Sequence, residues 1–124
     1  MTEIVGLKYP LNAQIEVTED CNHKCFYCYN YWREDKPVNK KMSYESAEKL
    51  MDILFNQIKP FDTTITGGEP LMNMPASLEI AKRLFERKAP CSINTNLSLL
   101  NAKRLYQLKE ANSNMMFLVS LPYF

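Results

Sequence analysis

The sequence lacks a charge surplus of either sign. Lys plus Arg number 15 and Asp plus Glu 14, a net of +1 over 124 residues. Proteins that hold nucleic acid through phosphate contacts show a basic excess. Disordered tails show charge bias with few apolar residues. Neither fits a chain that is 46% hydrophobic and 23% charged, so no nucleic-acid partner is expected. Long apolar runs are also missing. Nothing approaches the roughly 20 residues that cross a bilayer, so no membrane partner is expected either. The opening Met1-Thr2-Glu3-Ile4-Val5 has no basic stretch leading into an apolar one. No export signal is therefore expected.

A disulfide framework is absent too. There are four cysteines, and Cys21, Cys25 and Cys28 fall within eight residues, with Cys91 far away. That is no pattern for a secreted scaffold. The expected compartment is the reducing cytoplasm, where clustered thiols bind metal or do redox chemistry. Structural zinc takes four ligands, and a fourth could come only from His23 or Cys91. His23 sits between two ligands, where its ring would struggle to reach the same ion. Cys91 begins an expected strand, at the end opposite the site, and reads as a small buried apolar residue. Three thiolates instead suit a cluster with one iron left open for a small molecule, since most Fe–S clusters take four cysteines.

The rest of the chain alternates in period. Residues 13–18 alternate apolar and polar and read as a strand. Residues 19–42 have no period and hold the cysteines, Phe26, Tyr27, Tyr29, Tyr31 and Trp32; residues 33–41 read as a solvated loop. Ser43 is a candidate cap for a helix whose stripe is Ala47, Leu50, Met51, Leu54 and Ile58, stopped by Pro60. Thr63-Thr64-Ile65-Thr66 reads as a strand ending at Gly67-Gly68. Pro75 opens a second helix with Leu78, Ala81, Leu84 and Phe85 on one face. Residues 91–95 read as a third strand, and Asn101 caps a third helix. The apolar run 115–121 is expected to be a fourth strand, buried on both faces. The alternation predicts an α/β fold of parallel βα units. The ligand site of such a sheet lies at the carboxyl ends of its strands. The non-periodic residues fall there: the cysteine loop, the two glycines, Thr95-Asn96 and Ser120.

At these positions the chain resembles a known family. Cys21-Asn22-His23-Lys24-Cys25-Phe26-Tyr27-Cys28 is similar to the signature of radical S-adenosylmethionine (SAM) enzymes, with three-then-two spacing and an aromatic before the last cysteine. Gly67-Gly68-Glu69-Pro70 resembles the family's glycine-rich motif after strand two. Thr95-Asn96 and Val119-Ser120-Leu121 also match its usual strand ends. The resemblance runs from about residue 13 onward.

The resemblance implies a (βα)6 partial TIM barrel and two cofactors, a 4Fe–4S cluster and SAM. It gives Cys21, Cys25 and Cys28 to three irons and the fourth iron to SAM. An electron from the cluster would split SAM into methionine and a 5′-deoxyadenosyl radical, which takes hydrogen from a substrate. Tyr27 can pack near the adenine, or simply pack in the core. Gly67 and Gly68 let backbone approach a ligand closely, so valine at Gly68 should obstruct SAM and spare the iron. Glu69 and nearby carbonyls, with Pro70 completing the motif, can accept from the SAM ammonium. The Ser120 hydroxyl either meets the SAM carboxylate or ribose, or bonds its own backbone. Thr95 and Asn96 are further cofactor candidates, although Asn also favours turns by itself.

Two departures from the family pattern set further expectations. Only three and a half units appear, and Pro122-Tyr123 stands where relatives often carry an acidic residue and Gly. Residues 1–124 are thus expected to be the N-terminal part of the domain, truncated after the fourth strand and inactive without the remainder. Tyr29-Asn30 and Tyr31-Trp32 look most like the SPASM-type maturases that modify peptides and proteins. That branch implies a peptide or protein substrate and a low-potential electron donor such as a flavodoxin or ferredoxin. The alternatives are a glycyl-radical activating enzyme and a non-catalytic metal-binding module.

Overall fold

Ser43 starts the first helix because its hydroxyl accepts the N–H of Ser46, a donor that a helix N-terminus otherwise leaves open. Asn101 does the same for Arg104 at the third. The computed structural model describes residues 6–28 and 40–121. Its elements are β1 (Asn12–Glu16), α1 (Tyr44–Ile53), β2 (Asp62–Thr66), α2 (Met74–Glu86), β3 (Cys91–Thr95), α3 (Ala102–Ala111) and β4 (Met116–Val119). The strands lie in chain order β1-β2-β3-β4, each pair parallel. This is the expected α/β alternation. Tyr29, Asn30, Tyr31, Trp32, residues 33–39, Pro122 and Tyr123 lie outside the described residues.

Register sets the core. Ile15 pairs with Ile65, Ile65 with Ile93, and Ile93 with Phe117. That row packs with Ala47, Met51, Leu54, Ile80, Ala81, Leu84 and Leu108 from the helices. Ile80 and Leu84 are fully buried, and truncating either to Ala costs about 2–5 kcal/mol. The alternate row of β1, β2 and β3 faces the other way and is polar. The Asn12 amide donates to Asp62 and Thr64, and the Thr64 and Ser92 hydroxyls meet at 3.0 Å.

Two elements differ from the sequence expectation. β4 is not buried on both faces: Met116 is 63% exposed and Leu118 43%. Among the described residues the strand comes last in the sheet order and has a neighbour on one side only. The first helix does not keep its stripe to Ile58. α1 passes into a π-helical turn, Leu54–Ile58, closed by Lys59 N–H to Leu54 O at 2.7 Å. The wider turn keeps Leu54 buried and leaves Ile58 38% exposed. Among the described residues no helix is long and apolar enough to cross a membrane.

Candidate functional site

The β1–β2 pairing continues past both strand ends. Val17 N–H donates to Thr66 O (3.0 Å), Gly68 N–H to Thr18 O (2.8 Å) and Glu69 N–H to Asp20 O (2.8 Å). Gly67-Gly68-Glu69 therefore runs beside the residues that lead into Cys21. Gly67 has φ +152°, and a Cβ there would lie 2.5 Å from Thr18 O. At Gly68 a Cβ would lie 1.8 Å from Asp20 O and 2.3 Å from Asp20 C. This adds a second role for Gly68 to the one read from the sequence. Its missing side chain makes room for the backbone before Cys21, so valine there strikes the cysteine loop itself.

The cysteine loop is closed at its base by an antiparallel bridge between Thr18 and Lys41 and by Glu19 N–H to Lys40 O at 3.0 Å. Inside it, Cys28 N–H donates to Cys25 O (3.0 Å), which closes a turn over residues 25–28. His23 N–H donates to Cys21 Sγ at 3.5 Å. Tyr27 stacks edge-on with Phe26, ring centroids 5.1 Å apart. The Tyr27 phenol is pushed above its ordinary value, first by desolvation, then by a hydrogen bond with Cys25 and by the charges of Cys25 and Cys28.

Glu69 is 1% exposed. Its Oε1 accepts the Thr95 hydroxyl (2.5 Å) and Leu71 N–H (3.2 Å), and its Oε2 accepts Asn96 N–H (2.9 Å). The carboxylate thus ties the end of β2 to the end of β3 through donors of its own chain. Pro70 is buried, and its carbonyl accepts Asn73 N–H and the Ser77 hydroxyl. It shapes the turn below the site and does not line the cavity described next. Glu69→Gln replaces one acceptor oxygen with a donor and leaves a buried donor unmatched. We expect it to lower stability by about 1–3 kcal/mol, read by urea unfolding of the apo protein.

A cavity of about 210 Å³ lies across the four strand ends. Cys21, Cys25, Cys28, Tyr27, Gly67, Gly68, Glu69, Thr95, Asn96 and Ser120 all line it. Thr66 and Asn94 line it too and were missed. Both are polar residues at strand ends on the face opposite the core, a signal that period-two alternation carries. The Ser120 hydroxyl is exposed and donates to Asn94 Oδ1 at 3.2 Å. Asn22, next to Cys21, donates to Ser98 Oγ (2.7 Å) and accepts from Asn96 Nδ2 (3.0 Å). This links the cysteine loop to the end of β3.

The donor set can be tested against a metal group. No disulfide joins the three loop cysteines. Among the described residues no three of His, Cys, Asp or Glu gather tightly enough for a single metal ion. The three thiols share one cavity wall. Neither Cys91 nor His23 lines it, so three thiolates fit a cluster that takes one per iron and leaves one iron open, and fall one short of a four-ligand zinc site.

Cys91 is apart from the site. It opens β3, is 6% exposed, and burial pushes its thiol from 9.0 up to about 12. The folded state holds this proton longer than the unfolded chain, so the contribution is intact below pH 9 and is lost as pH rises toward 12. We expect stability between pH 9 and about pH 10.5 to fall by about 2 kcal/mol more in the parent than in Cys91→Ala. Urea unfolding at the two pH values checks this.

Residues 15–122 match the Radical SAM superfamily. An uncharacterised protein of Methanocaldococcus jannaschii is 32% identical over 109 residues, 85% of this chain and 36% of the relative. The pyruvate formate-lyase-activating enzyme of Staphylococcus aureus is 29% identical over 111 residues, 82% of this chain and 40% of the enzyme. The crystal structure of BtrN in complex with AdoMet and 2-DOIA superposes with TM-score 0.70 at 26% identity, over 94% of this chain and 48% of BtrN. BtrN in an open conformation gives TM-score 0.66 at 24% identity. The chain thus spans less than half the length of the curated relatives it matches.

Proposed function

Since the chain belongs to the radical SAM superfamily, whose cofactors are a 4Fe–4S cluster and SAM, we propose that Cys21, Cys25 and Cys28 each hold one iron of such a cluster. SAM then occupies the cavity beside Gly67, Gly68, Thr95, Asn96 and Ser120, with Tyr27 near its adenine. The observation that carries this reading is the meeting of the three thiols and the Gly-Gly-Glu turn in one cavity. When bound, the cofactors supply a 5′-deoxyadenosyl radical by reductive cleavage of SAM.

The chain's own residues do the positioning. Gly67 and Gly68 allow β2 to run against the entry to the cysteine loop. Glu69 fixes the Thr95-Asn96 turn from the cavity wall, where its carboxylate remains a candidate acceptor for the SAM ammonium. The Ser120 hydroxyl faces the cavity from the fourth strand end and is a hydrogen-bond partner for the cofactor.

The substrate we propose is a peptide or protein in the cytoplasm, with a flavodoxin or ferredoxin as reductant. The likeness to the Staphylococcus aureus enzyme supports a second, narrower reading, placement of a glycyl radical on a partner protein. The SPASM-type assignment rests on Tyr29, Asn30, Tyr31 and Trp32, outside the described residues. We further propose that residues 1–124 are the N-terminal part of a longer barrel domain. The open face of β4 and the 48% coverage of BtrN support this. Deuterium transfer tests the substrate class. A partner protein grown with α-deuterated glycine is expected to pass deuterium into 5′-deoxyadenosine. Label passing only from small molecules would contradict a polypeptide substrate.

A further inference from the structure

Asn73 follows the short 3₁₀ turn Pro70–Met72 and is 6% exposed. It stands at the N-terminus of α2, where Asn usually caps, yet its side chain makes no capping hydrogen bond there. Its Nδ2 instead donates to Val17 O at 2.6 Å and to Met42 O at 2.9 Å. Val17 is where the chain leaves β1 for the cysteine loop, and Met42 is where it returns. Met42 N–H donates to the same Val17 O at 2.8 Å. Three segments therefore meet on one carbonyl. An amide nitrogen carries two hydrogens and can serve both carbonyls together; a hydroxyl has one and a carboxylate none.

The turn that presents Asn73 is itself fixed. Asn73 N–H donates to Pro70 O (3.0 Å), and Ser77 holds both ends, its N–H on Asn73 O and its hydroxyl on Pro70 O. Glu69 begins the same turn and is tied to Thr95 and Asn96. Residues 69–73 thus bridge the two halves of the site, one end on the cofactor side and the other on the base of the cysteine loop. The loop's other closing contacts include Lys41 to Met72 O (3.2 Å) and Lys41 to Asp20 (3.7 Å), both on an exposed lysine. Exposed ion pairs hold little.

We propose that Asn73 is a positioning residue, a buried amide clasp that closes the base of the cysteine loop and sets its thiols relative to the Gly-Gly-Glu turn. This rests on the cluster reading above. The test uses Asn73→Asp, Asn73→Ser and, as a control for general destabilisation, Asn101→Ala, which removes the α3 cap. Each full chain is reconstituted anaerobically. Iron loss to a ferrous chelator is timed, and the apo Tm is recorded. Asn73→Asp is expected to release iron about tenfold faster than the parent, with Asn73→Ser between them. Asn101→Ala should lower Tm but keep the parental release rate. Should Asn73→Asp not fold, Asn73→Ser, which retains one donor, carries the comparison. Parental release rates in the Asn73 variants, with a normal cluster in the parent, overturn the clasp alone. A parent without acid-labile sulfide overturns the cluster reading and the clasp with it.

Discussion

Alanine at Cys21, Cys25 or Cys28 is expected to abolish cluster assembly, whereas alanine at Cys91 leaves it intact. The parent should carry about four irons and four acid-labile sulfides per chain after anaerobic reconstitution. Each loop thiol lines the same cavity, so removing one leaves a corner iron without a protein ligand. Cys91 sits in the core at the start of β3, protonated by burial, and has no part in that wall. Iron and sulfide analysis of the four variants decides the matter. Retained sulfide in a Cys25→Ala protein, or its loss in Cys91→Ala, would break the assignment of ligands.

The second large effect is expected at Gly68. A Cβ there lies 1.8 Å from Asp20 O and 2.9 Å from Glu19 O, and these are backbone atoms that cannot swing aside. Gly68→Val must therefore push the entry to the cysteine loop off β2, breaking the Glu69 N–H to Asp20 O bond. We expect a stability loss of about 3 kcal/mol and loss of iron together with SAM affinity. Gly6→Ala is the control, since a Cβ at Gly6 meets nothing within 4 Å. The readouts are urea unfolding, iron content and equilibrium SAM binding. A Gly68→Val protein that keeps its iron and loses only SAM would show that the side chain enters the ligand's space rather than the loop's.

The contrast between these glycines shows where sequence reading stops. Caps, alternation and helical stripes are local, so Ser43, Asn101 and the bounds of β3 could be read from neighbouring residues. So could the site's position, because polar residues at four successive strand ends converge whenever the units are parallel. The partner of a residue is not local. Nothing beside Gly68 in the chain says that Asp20 will lie against it, and nothing beside Glu69 says that Thr95 and Asn96 will take its carboxylate. The sequence reading pointed both residues at the ligand; the structure keeps both on the cavity wall and adds the partners each has within the chain. Asn73 escaped notice for the same reason, its two carbonyl partners being 56 and 31 residues away. The exposed face of β4 was hidden too. An apolar run reports what a strand can bury, while burial itself depends on what lies beside it.

The central claim is that three thiols and the Gly-Gly-Glu turn form one site that cleaves SAM. The most direct measurement incubates the reconstituted longer protein, of which residues 1–124 are proposed to be the N-terminal part, with SAM and dithionite, without oxygen, and quantifies methionine and 5′-deoxyadenosine. The account predicts equal amounts of both, formed only with reductant and absent in Cys28→Ala. Intact SAM over a protein that holds one tightly bound zinc and no acid-labile sulfide would contradict it.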